Sequence, residues 1–326
     1  MKIPNADSTK SAGRFPLKGY VLIVGTAFFT ALSYIIGKYL DIGAHEGTHS
    51  AAHPAGSGLD LETTTFFWFF GAFVAAFILS MFIPAQRKEL GQFRKYGVIL
   101  LLTSAFTSVG AVLWVNSLWI IGPALTSFLM KSQTLFSLLF GIIFLRERIN
   151  RGEAAGMTLT IAGGVVVAYH KDSYLLLGVA AVLVSALCYS MVAFWVRKLA
   201  AKKQLNMLTV ATLRTFGVSV ILLSYLLITG TIEIPTFREI LLMGAGGTCG
   251  AYIAKSCQFY SIKLLDLSRS TAVMPLESLF VVLLSLAFFN SVPSTVKLLG
   301  GICILAGVVF LVIFRDTKGE ETIMGK

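Results

Sequence analysis

Three observations predict an all-α integral membrane fold with ten transmembrane helices arranged as two inverted five-helix repeats. The 326 residues are 56% hydrophobic and only 13% charged, with a mean hydropathy of +0.80, which is too little charge to cover a soluble globule of this size. Apolar runs recur that approach the ~20 residues a helix needs to cross ~30 Å of hydrocarbon. Each is too long and too continuously apolar for the alternating pattern of a membrane barrel strand. The third observation is a duplication. At one constant offset the stretch Pro123 to Gly163 lies without a gap over Leu267 to Gly307, with Gly156 on Gly300, Ala162-Gly163 on Ala306-Gly307 and Leu135-Phe136 on Leu279-Phe280.

The elements follow in order. Residues 1–17 are a polar, basic tail, and the run at 18–40 is too long for a signal h-region and lacks a small-residue cleavage site, so it is read as the first span. An outer loop at 41–62 precedes the second span, 63–83. The third and fourth spans are 96–119 and 123–145, and the charged hinge Arg146-Glu147-Arg148 separates them from the fifth, 153–170. The second repeat, 174–314, holds spans at 174–197, 206–229, 238–264, 268–289 and 293–314, followed by a tail at 315–326. Its opening matches that of the first repeat, 18–170: Gly19–Leu40 lies over Gly178–Leu199, and Trp68-Phe-Phe-Gly over Arg214-Thr-Phe-Gly. No room is left for a soluble domain.

Charge sets the orientation. The net charge of +11 comes from Lys and Arg concentrated in short loops rather than on a soluble face, so it reports topology and not a nucleic-acid partner. The tails and alternate loops on one side carry Arg14, Lys18, Arg87, Lys88, Arg146, Arg148, Lys202, Lys203, Arg315 and others. The opposite side carries only Lys38, Lys171, Arg238 and Lys297. The positive-inside rule places both termini in the cytoplasm. Five spans is an odd number, so the second repeat enters the membrane from the opposite side to the first. Secondary transporters commonly have this symmetry, because two interconvertible packings of equivalent halves around a midplane site give alternating access.

Each half ends in an apolar span, a charged or polar hinge and a glycine-rich span: Leu145-Arg-Glu-Arg with Gly156 and Gly163, then Asn290-Ser-Val-Pro with Gly300 and Gly307. This pairing resembles the drug/metabolite transporter superfamily, EamA type, over nearly all of residues 18–314. The resemblance implies ten helices around a central cavity lined by both halves, and export or exchange of small organic metabolites. It also implies a bacterial inner (plasma) membrane location. Two departures stand out: Ser291 replaces Glu147 in the second hinge, and Lys131 resembles the related carriers of anionic triose phosphates and nucleotide sugars.

Four ionisable residues lie inside spans: Lys131, Arg214, Lys255 and Glu277. Each costs about 2.5–3.5 kcal/mol at the centre of a lone helix, so they must face a cavity or one another. Lys131 and Glu277, on corresponding helices, form a structural ion pair in one reading; in the other, three cations against one carboxylate create a site for an anionic head group. Polar stripes at helical spacing surround them: Thr26, Thr30, Ser33 and Gly37 on the first span, Thr103, Thr107, Gly110 and Trp114 on the third, and Tyr252, Lys255, Gln258 and Phe259 on the eighth. The first stripe is as easily close packing, whereas Lys255 and Gln258 are poor packing residues. Gly156, Thr160 and Gly164 read as helix packing alone. Glu277 is the candidate coupling residue, since burial and a nearby lysine pull a carboxylate pKa in opposite directions.

His45, His49 and His53, beside Glu46, are spaced for one helix face and are weak metal candidates, but the segment lacks apolar anchoring and a solvated loop is expected. The four cysteines lie in apolar spans without metal-ligand spacing and read as reduced core residues. No phosphate-binding G-x4-G-K-[ST] loop is present, so ATP drive within the chain is excluded, and no cofactor is expected. The expected function is a secondary carrier of a small organic, anionic metabolite, with protons as the candidate coupling ion. The expected partners are the substrate and the lipid bilayer, with no nucleic acid, in a monomer or homodimer. The alternatives are a channel-like or structural membrane subunit and, less well supported, a membrane-embedded enzyme, for which no acid/base or metal constellation stands near one interface.

Overall fold

A computed structural model describes residues 17–45, 59–90, 97–145, 150–168, 173–201, 206–264, 275–290 and 293–314, which are helical with no strand among them. The helices are α1 (Leu17–His45), α2 (Leu61–Phe82), α3 (Pro84–Leu90), α4 (Gly97–Met130), α5 (Ser132–Leu145), α6 (Arg151–Ala168), α7 (Ser173–Ala201), α8 (Met207–Thr229), α9 (Phe237–Gly247), α10 (Lys255–Leu264), α11 (Leu276–Phe289) and α12 (Thr295–Ile313). A π-helical segment, Thr248–Ala254, joins α9 to α10. Five helices, α1, α2, α4, α7 and α8, are each long and apolar enough to cross a bilayer. The remaining apolar runs fall on shorter helices or on helices joined end to end.

The joints differ from the expectation in physically specific ways. The run 123–145 is not one helix, because a turn at Lys131 interrupts it. Upstream, α4 bends at Gly122, whose φ of 80° only glycine adopts without penalty. Pro123 then opens the next helical stretch, where its missing N–H costs nothing. The segment 84–90, expected as loop, forms α3. The turn at Lys131 has a counterpart in the turn at the matched position Pro275, which opens α11. The Lys131 carbonyl accepts from Thr134 N–H at 3.0 Å, and the Pro275 carbonyl from Ser278 N–H at 3.1 Å. Thr134 and Ser278 are themselves a matched pair, so the duplication extends to the hydrogen bonding of the two turns.

Side-by-side packing shows how the halves meet. A Cβ on Gly156 would stand 2.8 Å from Gly307 O, one on Gly307 would stand 2.8 Å from Gly156 O, and one on Gly163 would stand 2.6 Å from Gly300 O. Only glycine permits such backbone approach. Gly156 lies on Gly307 while Gly163 lies on Gly300, so α6 and α12 run antiparallel. The two contacts exchange under the sequence match, which is what a local two-fold axis produces. The expected stripe through Gly164 is corrected by one residue, since nothing lies within 4 Å of a Cβ there. Seven residues come to about two helical turns, which returns Gly163 rather than Gly164 to the Gly156 face.

The halves also interlock. α1 packs on α9, the π segment, α10 and α11, while its counterpart α7 packs on α4 and α5, so each first helix lies against the other repeat. α2 and α8 pack together around Trp68, Phe69, Ala72, Ala211, Val218 and Leu222. Their ends carry reciprocal carboxylate contacts. Glu89 on α3 accepts from Asn206 N–H at 2.9 Å and from the Thr209 hydroxyl at 2.7 Å, at the start of α8. Glu233, after α8, accepts from Asp60 N–H at 3.0 Å, at the start of α2. Each carboxylate satisfies an orphan donor at a helix N-terminus.

Candidate functional site

The four ionisable residues of the span interiors converge on one buried cluster. Lys131 occupies the break between α4 and α5, with its N–H bonded to Phe128 O at 3.1 Å, so its side chain leaves a turn rather than a helix face. Its Nζ meets Glu277 Oε2 at 2.9 Å, and both side chains are under 10% exposed. Glu277 lies in the first turn of α11, directly after the turn at Pro275, where the helix dipole favours a carboxylate. The matched turns, at Lys131 and just before Glu277, thus position the two members of one cross-repeat ion pair.

Arg214 lies in the middle of α8 and is 2% exposed. The π segment supplies its partner: the Lys255 N–H bonds to Tyr252 O rather than to Ala251 O, and Ala251 O accepts from Arg214 Nη2 at 3.0 Å. A departure from the regular four-residue bonding pattern can in this way leave a backbone carbonyl to a side chain. Arg214 Nε is buried with no hydrogen-bond partner. Lys255 opens α10 and donates from Nζ to Gln258 Oε1 at 3.1 Å, one turn along the same helix. It lies within electrostatic reach of Arg214, Glu277 and Lys131. Among the described residues neither Arg214 nor Lys255 has a carboxylate partner, because the one carboxylate in the cluster is taken by Lys131.

Aromatic side chains from both repeats wall this cluster. Trp114 of α4 packs edge-on against Tyr34 of α1, with ring centroids 5.0 Å apart, and against Trp68 of α2 at 5.8 Å. Tyr34 is buried within electrostatic reach of Glu277, and Tyr189 of α7 within reach of Arg214. Tyr252, on the π segment, is 4% exposed. Gln133 of α5 donates to Tyr189 O at 3.3 Å. Trp114, Tyr189, Gln133, Lys255 and Gln258 are half-buried.

Of the sequence candidates, Lys131, Glu277, Arg214, Lys255, Gln258, Trp114 and Tyr252 all belong to this region. Tyr34 and Tyr189 were missed. The available signal was a tyrosine placed inside an apolar helix, since a buried tyrosine demands a polar partner. The threonines and serine of the first- and third-span stripes bond within their own helices, whereas Trp114 of the third stripe belongs to this region. Thr26, Thr30 and Ser33 donate to carbonyls of their own helix. Thr103 and Thr107 do the same, while Gly110 seats α7 by accepting from the Ser185 hydroxyl at 2.6 Å. His45 ends α1, and Glu46, His49 and His53 lie outside the described residues, as does Glu147. Among the described residues no group of three His, Cys, Asp or Glu could hold a metal ion. The four cysteines are free.

Comparison with known proteins places the fold. No curated protein matches the chain by sequence. Among solved structures 27 chains match, and one of these, a crystal structure described only as that of a protein, superposes with a TM-score of 0.57 at 16% identity. That match covers 91% of this chain and 97% of the other, and speaks to fold alone. The model of the EamA-like transporter family matches twice, over residues 17–169 and 176–313, the two halves that the packing relates by a local two-fold. The chain therefore belongs to the EamA-like transporter family, whose members are membrane transporters of small molecules.

Proposed function

We propose that the protein is a secondary carrier that moves a small organic anion by alternating access, with ten membrane crossings, both termini cytoplasmic and a bacterial inner-membrane location. The observation that carries the reading is the pair of cations, Arg214 and Lys255, held inside the bundle without a carboxylate partner among the described residues. A buried charge left uncompensated is costly, and an anionic substrate supplies the missing compensation. Gln258, Trp114 and Tyr252 stand in the same region and would contribute hydrogen bonds and apolar contact to the substrate. Lys131, held by Glu277 in this state, becomes available to substrate only when that pair opens.

Glu277 is the coupling residue of this reading. Protonating it would release Lys131, so proton loading and substrate binding act on one ion pair. The repeats meet at this pair, and rocking them changes the distance between its members. The experiment is a thermal-shift screen of purified protein against small anions, cations and neutral aromatics. Anions should give the largest stabilisation, and Arg214→Gln and Lys255→Ala should each weaken it with folded yield retained. Best ligands that are cations or neutral aromatics would overturn the anion reading.

A further inference from the structure

The charge count around the site says more than the sign of its substrate. Among the described residues Glu277 is the one carboxylate that acts on this buried cluster. Glu277 and Lys131 cancel at 2.9 Å. The remainder is two positive charges, Arg214 and Lys255, within electrostatic reach of each other. Both head groups are anchored on the same stretch of chain, Arg214 on the carbonyl of Ala251 and Lys255 on the side chain of Gln258. Arg214 still has an unused Nε donor, and its Nη2 is spent on a neutral carbonyl. The partner of the Lys255 Nζ, Gln258, is neutral as well.

We infer that the substrate is a small dianion, whose two negative charges are met by Arg214 and Lys255 together. A monoanion would leave one buried cation uncompensated, whereas a dianion cancels both. A phosphomonoester and a short dicarboxylate share this chemistry, the first presenting its charges on one head group and the second on two groups a few carbons apart. The inference rests on the anion reading above and narrows it.

The test compares matched probes for binding to purified protein at pH 8, where a phosphomonoester is essentially a dianion because its second pKa is about 6. Methyl phosphate is set against dimethyl phosphate, and succinate against its monomethyl ester. At least one dianion should bind ten-fold or more tighter than its monoanionic partner, and which pair shows the preference tells the phosphate site from the dicarboxylate site. Lys255→Gln and Arg214→Gln should each abolish the preference, while Arg214→Lys, which keeps the charge, should retain it even where the glutamine variant folds poorly. Equal binding of dianion and monoanion in the wild-type protein overturns the dianion inference and leaves the anion reading standing. Failure of all four probes, with a cation or neutral ligand binding instead, overturns both.

Discussion

Lys131 and Glu277 illustrate what a buried pair does to its own members. Removing one partner leaves the other charged and desolvated, which typically costs about 3–5 kcal/mol, whereas replacing both by apolar groups of similar volume is often neutral. Lys131→Met and Glu277→Leu should therefore each lower the unfolding temperature markedly, and the double variant should recover most of the loss. Near-additive losses in that double-mutant cycle would contradict the 2.9 Å pair. Glu277→Gln probes function at the same place. It mimics the protonated carboxylic acid, so substrate exchange should persist while pH-driven accumulation is lost; unchanged proton-driven transport would remove Glu277 from the coupling step. Lys131, Arg214, Lys255 and Glu277 were all legible in the sequence because an ionisable side chain in hydrocarbon needs a reason. Which cation takes the carboxylate was not legible, since it depends on a break at Lys131 that no glycine or proline marks.

At the level of elements, the crossing of α6 and α12 depends on backbone contact. Gly156→Leu or Gly163→Val should sharply reduce folded yield, because a Cβ at either site would stand 2.6–2.9 Å from atoms of α12. Gly164→Ala should be tolerated, as open space surrounds that position. Detergent-solubilised monodispersity measures the difference, and equal loss in both classes would contradict the antiparallel crossing. The reciprocal caps give a second expectation. Glu89→Ala and Glu233→Ala should each cost about 1 kcal/mol of stability, the usual worth of a helix N-terminal acceptor, read as a lower unfolding temperature. The glycine-rich ends of both halves announced the crossing in the sequence, through small residues at helical spacing. The π segment did not announce itself: Thr248–Ala254 is a run of small and apolar residues whose widened turn depends on what packs around it, including Arg214 reaching Ala251 O.

The whole molecule is two copies of one helical repeat, interlocked so that α1 and α7 each lie on the opposite repeat. The duplication was readable because matched residues keep matched jobs, as at Lys131 and Pro275. The interlocking was not, because it sets which helices of different repeats touch, and sequence periodicity carries no such information. The proposed orientation predicts that reporters fused after Lys326 and after Lys203 are active on the cytoplasmic side, and one inserted near Gly56 on the outer side. The most direct test of the carrier itself is counterflow in proteoliposomes. Vesicles loaded with the anion that most stabilises the protein should take up the labelled anion with saturable, exchange-accelerated kinetics, and Arg214→Gln should abolish that uptake while remaining folded. A non-saturating current proportional to voltage, or uptake indifferent to Arg214, would contradict a carrier built around the two unpaired cations.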